Sequence, residues 1–143
     1  DALIAKRLGS IEVGLHAHQR YLAAHGVPHS IDALAGHALI GFDQESAFVR
    51  KVLEQFPWLA RAGLAFRADS DLAQLAAIRA GFGIGICQVG LADRDDALVH
   101  LLPRKFSLKM ETWIAMHEDL RASPRCAVTF AALVAGLGAY IRG

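Results

Sequence analysis

Four groups of side chains in this sequence have the type and spacing to do chemistry. His16 and His18 stand two apart in a stretch of extended character, which sets both imidazoles on one face. A divalent metal uses such a pair when a third ligand converges on it. None stands nearby at ligand spacing, so exposed polar residues near a strand end are the favoured reading and no metal is expected. His25 and His29 are four apart, but Gly26 and Pro28 lie between them and break the helical spacing. Cys87 beside a histidine would make a nucleophile. It sits in the apolar run 84–87, where cysteine usually serves as a small buried hydrophobe.

The last group is polar and non-catalytic. One strand ends in Gly41-Phe42-Asp43 and the next in Arg67-Ala68-Asp69-Ser70, at the start of a helix. Backbone N–H groups after Ser70 carry the positive end of the helix dipole, which suits a carboxylate. Phe42 offers an apolar wall and Asp43 a polar contact, the mixture of a small-molecule pocket. The candidate binding residues are therefore Gly41, Phe42, Asp43, Asp69, Ser70 and the turn at Gly83. Ordinary capping by Ser70 and an exposed loop at Asp43 is the competing reading.

Enzyme signatures are missing. The sequence has no G-x-S-x-G, G-K-[ST], H-E-x-x-H or C-x-x-C. Gly81, Gly83 and Gly85 imitate a dinucleotide fingerprint, yet they follow a helix and open a strand, the reverse of the order that works. No catalysis and no cofactor are expected.

The elements that must position these residues can be read from periodicity and breakers. Strands are expected at 11–17, 37–42, 64–68, 84–87, 98–102 and 110–117. Between them, helices are expected at 19–25, closed by Gly26, and at 31–35, capped by Ser30. Another opens at Glu45 or Ser46 and carries Phe48, Val52 and Phe56 on one face. A helix at 72–80 should bury Leu72, Leu75, Ala76 and Ile78, and a short one lies near 89–93. Ser123-Pro124 starts the last helix, which runs to about Ile141. Strands alternating with helices predict an α/β fold with a largely parallel sheet.

Composition narrows the class. Apolar residues make up 54% and charged residues 20%, a globular balance for 143 residues. Fifteen Lys and Arg against fourteen Asp and Glu leave no basic surface for nucleic acid on this piece. The apolar stretch 130–141 is too short to span a bilayer, so no membrane partner is expected. Two cysteines make no disulfide framework, which points to a reducing cytoplasm.

Several segments together resemble the effector domain of LysR-type transcriptional regulators. Residues 8–26 (LGSIEVGLHAHQRYLAAHG) are similar to that family's crossover strand and Tyr-Leu-x-x-His-Gly turn. Residues 28–37 (PHSIDALAGH) resemble the proline, short helix and Gly-His that follow. Residues 69–88 (DSDLAQLAAIRAGFGIGICQ) are similar to its helix and A-G-x-G-I turn, and 117–125 (HEDLRASPR) to its strand exit and final helix. The resemblance implies a type II periplasmic-binding-protein-like fold, with one complete lobe at 13–96 and the remainder of the other at 1–12 and 97–143. It implies a small-molecule effector between lobes, Phe42, Asp43 and the Ser70 region among its contacts, and a homo-oligomer. DNA would be bound only through a winged helix-turn-helix upstream of Asp1. His18-Gln19, in place of the common Ser-Pro, and Cys87-Gln88, in place of Leu-Pro, depart from the pattern, so a generic pocket is not implied. A periplasmic-type solute-binding protein shares this fold and is the alternative; an enzyme on the same fold would need a catalytic base, and none stands out.

Overall fold

A computed structural model describes residues 2–61 and 63–143, and they form two compact units, Val13–Leu108 and residues 1–12 with 109–143. Strand β1 (Leu3–His18) contributes to both.

In the larger unit, β1 leads directly into α1 (Gln19–His25). His18 Nδ1 accepts from the Arg20 N–H as the cap, and Gly26, at φ 85°, ends the helix where a side chain would be strained. A 3₁₀ turn at Asp32–Gly36 precedes β2 (Leu39–Gly41). Helix α2 (Ala47–Gln55) starts at Ser46, whose hydroxyl accepts from Val49 N–H. Next come β3 (Leu64–Arg67), α3 (Asp71–Arg79), β4 (Gly85–Gln88), α4 (Val89–Ala92) and β5 (Leu98–Leu101).

The strands lie in the order β3, β2, β4, β1, β5. β2 and β3 are parallel, and Leu39 bridges Ile84 in the same sense through Ile40 N–H to Ile84 O at 2.8 Å. β1, however, runs antiparallel to both β4 and β5. The sheet is thus mixed, not largely parallel. β2–α2–β3 is a true crossover unit, whereas β1 enters from outside that alternation and inserts between β4 and β5.

Leu15, Ala17, Tyr21, Leu22, Leu34, Leu39, Ile84, Leu101 and Phe106 form a single buried cluster. Phe106 is fully buried, its ring 4.5 Å from that of Phe56. Hence the α2 stripe divides: Val52 is buried, Phe56 joins this aromatic group, and Phe48 stays exposed.

Helix α3 buries only part of the expected set, and adds Gln74 to it. Ile78 is fully buried and Gln74 nearly so, while Leu72 is 79% exposed and Ala76 is exposed. The Ser70 cap sets the helix phase, and positions 74 and 78, one turn apart, then face inward. Gln74 tolerates burial because its Nε2 donates to Ala68 O at 2.7 Å. His16 is also a correction: it is 1% exposed, not an exposed polar residue near a strand end.

In the smaller unit, β6 (Leu108–His117) pairs with β1, and Glu118 N–H closes on Ala2 O at 2.7 Å. Arg7 and Glu111 form an exposed ion pair at 2.9 Å, a contact of small energetic weight. Helix α5 (Pro124–Arg142) has proline in its first turn, as the Ser-Pro pair predicts, but the Ser123 hydroxyl makes no capping hydrogen bond. Gly9, at φ 135°, lets Ile141 approach β1: a Cβ there would lie 2.8 Å from Ile141 Cγ2. At 19 residues α5 is longer than its apolar stretch, and by length and composition alone it could cross a membrane, contrary to the expectation from 130–141.

Candidate functional site

The larger unit contains a cavity of about 370 Å³ where β2 and β3 end. The chain builds it from both sides of one register pair. Gly41 on β2 stands opposite Arg67 on β3, and Ala68 N–H donates to Gly41 O at 3.0 Å. From that pair β2 runs on into Phe42 and Asp43. Gly41 is tightly placed: a Cβ would lie 2.9 Å from Leu64 Cδ1.

The interior is apolar. Ile40, Val52, Leu59, Leu64 and Ile86 line it, and Phe42 meets Phe48 edge to face at 6.2 Å between centroids. Charge is confined to Arg67, Asp43 and Glu45, with Gln44 beside them. The chain turning out of β2 is held in place by Asp69, whose Oδ1 accepts from Asp43 N–H at 3.1 Å and Gln44 N–H at 2.9 Å. Two N–H groups on one carboxylate oxygen fix that turn before any ligand arrives.

The six residues singled out in the sequence thus separate. Gly41, Phe42 and Asp43 line the cavity. Asp69 acts behind them, through the backbone of Asp43 and Gln44. Ser70 caps α3, its hydroxyl accepting from Ala73 N–H at 3.2 Å. Gly83 lies against the carbonyl of Ala38, which a Cβ at position 83 would overrun, so its role is to let β2 and the start of β4 meet. Neither Ser70 nor Gly83 is among the lining residues. Sequence reasoning missed Arg67 as a site residue, although it named the strand end that carries it. It also missed Leu59 and Leu64, which come to the cavity from elements without a chemical signature; the α2 stripe was the available signal for Phe48 and Val52.

The other candidates settle into structure. Burial pushes the Cys87 thiol up to about 11, against a weaker opposing pull from Arg79, so it is a poor nucleophile at neutral pH. His18 caps α1, and His25 stacks on Tyr21 at 4.4 Å. Among the described residues no cluster of three His, Cys, Asp or Glu could hold a metal.

The sequence pattern of the LysR substrate binding domain matches residues 1–138. The chain belongs to that family. Its function is therefore effector sensing in a LysR-type transcriptional regulator, on the type II periplasmic-binding-protein-like fold, and the solute-binding alternative is not favoured.

Solved structures agree. The regulatory domain of CrgA, a LysR-type transcriptional regulator from Neisseria meningitidis, is similar at 26% identity with a TM-score of 0.76, over 96% of this chain and 70% of that one. This LysR substrate-binding chain spans about half, 49%, of the longer CrgA structure. The regulatory domain of AphB from Vibrio vulnificus shares the fold at 20% identity and a TM-score of 0.63, over 96% of this chain. No curated protein sequence matches the chain. Family and neighbours are regulatory domains, a class that generally does no catalysis.

Proposed function

We propose that this domain binds a small organic effector, one bearing a carboxylate, in the cavity at the ends of β2 and β3. Gly41, Phe42 and Asp43 make the contacts and Asp69 positions them. The observation that carries the reading is the cavity itself. Its volume falls in the range of roughly 300–1,000 Å³ usual for small-molecule sites, and its walls are apolar with a few charges converging at one place. Arg67 supplies a cation for the carboxylate. The helix dipole after Ser70 is left to the cap.

The whole protein is then a cytoplasmic homo-oligomer that binds DNA through a winged helix-turn-helix outside these 143 residues. Residues 13–108 act as one lobe, beyond the expected boundary at 96 because Leu101 and Phe106 pack into its core, and 1–12 with 109–143 belong to the other. Binding free energy that differs between two arrangements of the regulator is what transmits the signal.

A thermal-shift screen of small carboxylates, followed by calorimetry on the hits, tests the site. Phe42→Ala and Arg67→Gln should each weaken a hit about tenfold or more. Unchanged affinity in both variants would remove this cavity from the effector site.

A further inference from the structure

The charges at the cavity mouth do not match a simple carboxylate. Two acids, Asp43 and Glu45, accompany one cation, Arg67. Among the described residues, none of these three side chains makes a hydrogen bond or an ion pair within the protein. Asp43 enters only through its backbone N–H. Arg67 and Asp43 are nevertheless neighbours by construction, since Arg67 is the register partner of Gly41, two residues before Asp43. The Asp69 anchor holds that backbone still. Unlike charges lining one cavity, none of them paired among the described residues, form a split recognition surface.

From this we infer that the effector is an apolar α-amino acid: its carboxylate on Arg67, its ammonium on Asp43 and Glu45, its side chain among Val52, Leu59 and Leu64. The inference rests on the cavity being the effector site, as proposed above. A ligand with a carboxylate alone satisfies Arg67 but brings a negative charge toward two more. One with an amine alone leaves the guanidinium unmatched. Only a zwitterion pairs all three groups, and it does so with charge-assisted hydrogen bonds, the strong kind. The walls exclude a polar body. Sugars and nucleosides need hydrogen-bonding groups around their ring, and the interior offers aliphatic side chains. The cavity's size also favours a compact ligand over a large one.

Calorimetry on the chain with three probes of one shape decides the matter: L-leucine, 4-methylpentanoate, which lacks the ammonium, and 3-methylbutylamine, which lacks the carboxylate. L-phenylalanine, 3-phenylpropanoate and 2-phenylethylamine form a second set for a larger side chain. In at least one set the amino acid should bind about tenfold or more tightly than either analogue. Arg67→Gln should erase its advantage over the amine. Asp43→Asn combined with Glu45→Gln should erase its advantage over the acid, and the circular dichroism of both variants should stay that of the parent. If the acid binds as well as the amino acid and loses affinity in Arg67→Gln, the cavity stands and the zwitterion is wrong. Binding of any probe that ignores Phe42→Ala and Arg67→Gln overturns the cavity reading as well. No binding by any of the six overturns the amino-acid class, and the wider carboxylate screen then judges the cavity.

Discussion

His16 and His100 are register partners on adjacent antiparallel strands, and their imidazoles stack with centroids 4.6 Å apart and planes within 17° of parallel. His16 Nδ1 lies 2.9 Å from Gly14 O, and the His100 ring occupies the space where a Cβ of residue 14 would be. Glycine at 14 is therefore what admits the pair. Gly14→Ala should destabilise the domain by about 1–3 kcal/mol through overpacking. In a His100→Ala background the same change should cost much less, because the colliding ring is gone. Urea unfolding of the four proteins of this cycle measures the coupling; additive costs would mean that the ring and the glycine do not constrain one another.

Asp69 and Ser70 are sequence neighbours with separable roles. Ser70→Ala removes a helix cap and should lower stability by roughly 1 kcal/mol, leaving effector affinity unchanged. Asp69→Ala frees the turn at Asp43 and Gln44, so affinity should fall about tenfold as the binding groups lose their fixed position. Paired melts and titrations distinguish the two. Equal affinity loss in both variants would return the α3 N-terminus to the site.

A half-buried, hydrogen-bonded histidine ties stability to pH. The Tyr21 hydroxyl accepts from Ala38 N–H at 3.0 Å and lies 2.9 Å from His37 Nδ1. Desolvation, with repulsion from His25 second, holds the His37 pKa below its ordinary 6.5. The unfolded chain then takes up this proton at higher pH than the folded one. The associated stability is complete above 6.5 and declines as pH falls through that value toward the lower folded pKa. Melting temperature recorded from pH 8 to 5 should drop on the acid side, and His37→Gln should flatten that part of the curve. An identical slope in the variant would assign it to other groups.

The smaller unit leaves much apolar surface in water. Within α5 only Gly138 is buried; Val128 is 70% exposed, and Trp113 on β6 is 55% exposed. Surfaces of this kind drive association. Light scattering over a concentration series should show the chain self-associating, and Val128→Lys with Trp113→Lys should shift it toward monomer. A strictly monomeric parent at high concentration would contradict this.

Element positions were legible in the residues because caps and breakers act locally. Ser46, Ser70, Gly26 and Pro124 begin or end helices by hydrogen bonds and backbone angles reaching no more than a turn, so their effect is written in adjacent positions. Gly41, Phe42 and Asp43 could be picked out for the same reason, since a strand end before a helix is a local pattern. The antiparallel seat of β1 between β4 and β5 was decided only in three dimensions. So were the inward turn of Gln74, the His16–His100 stack and the meeting of Arg67 with the Asp43 turn. Each joins residues that hydrophobic period cannot relate: register across strands sets which side chains meet, and a buried amide or imidazole is admitted by its partner, not by its own type.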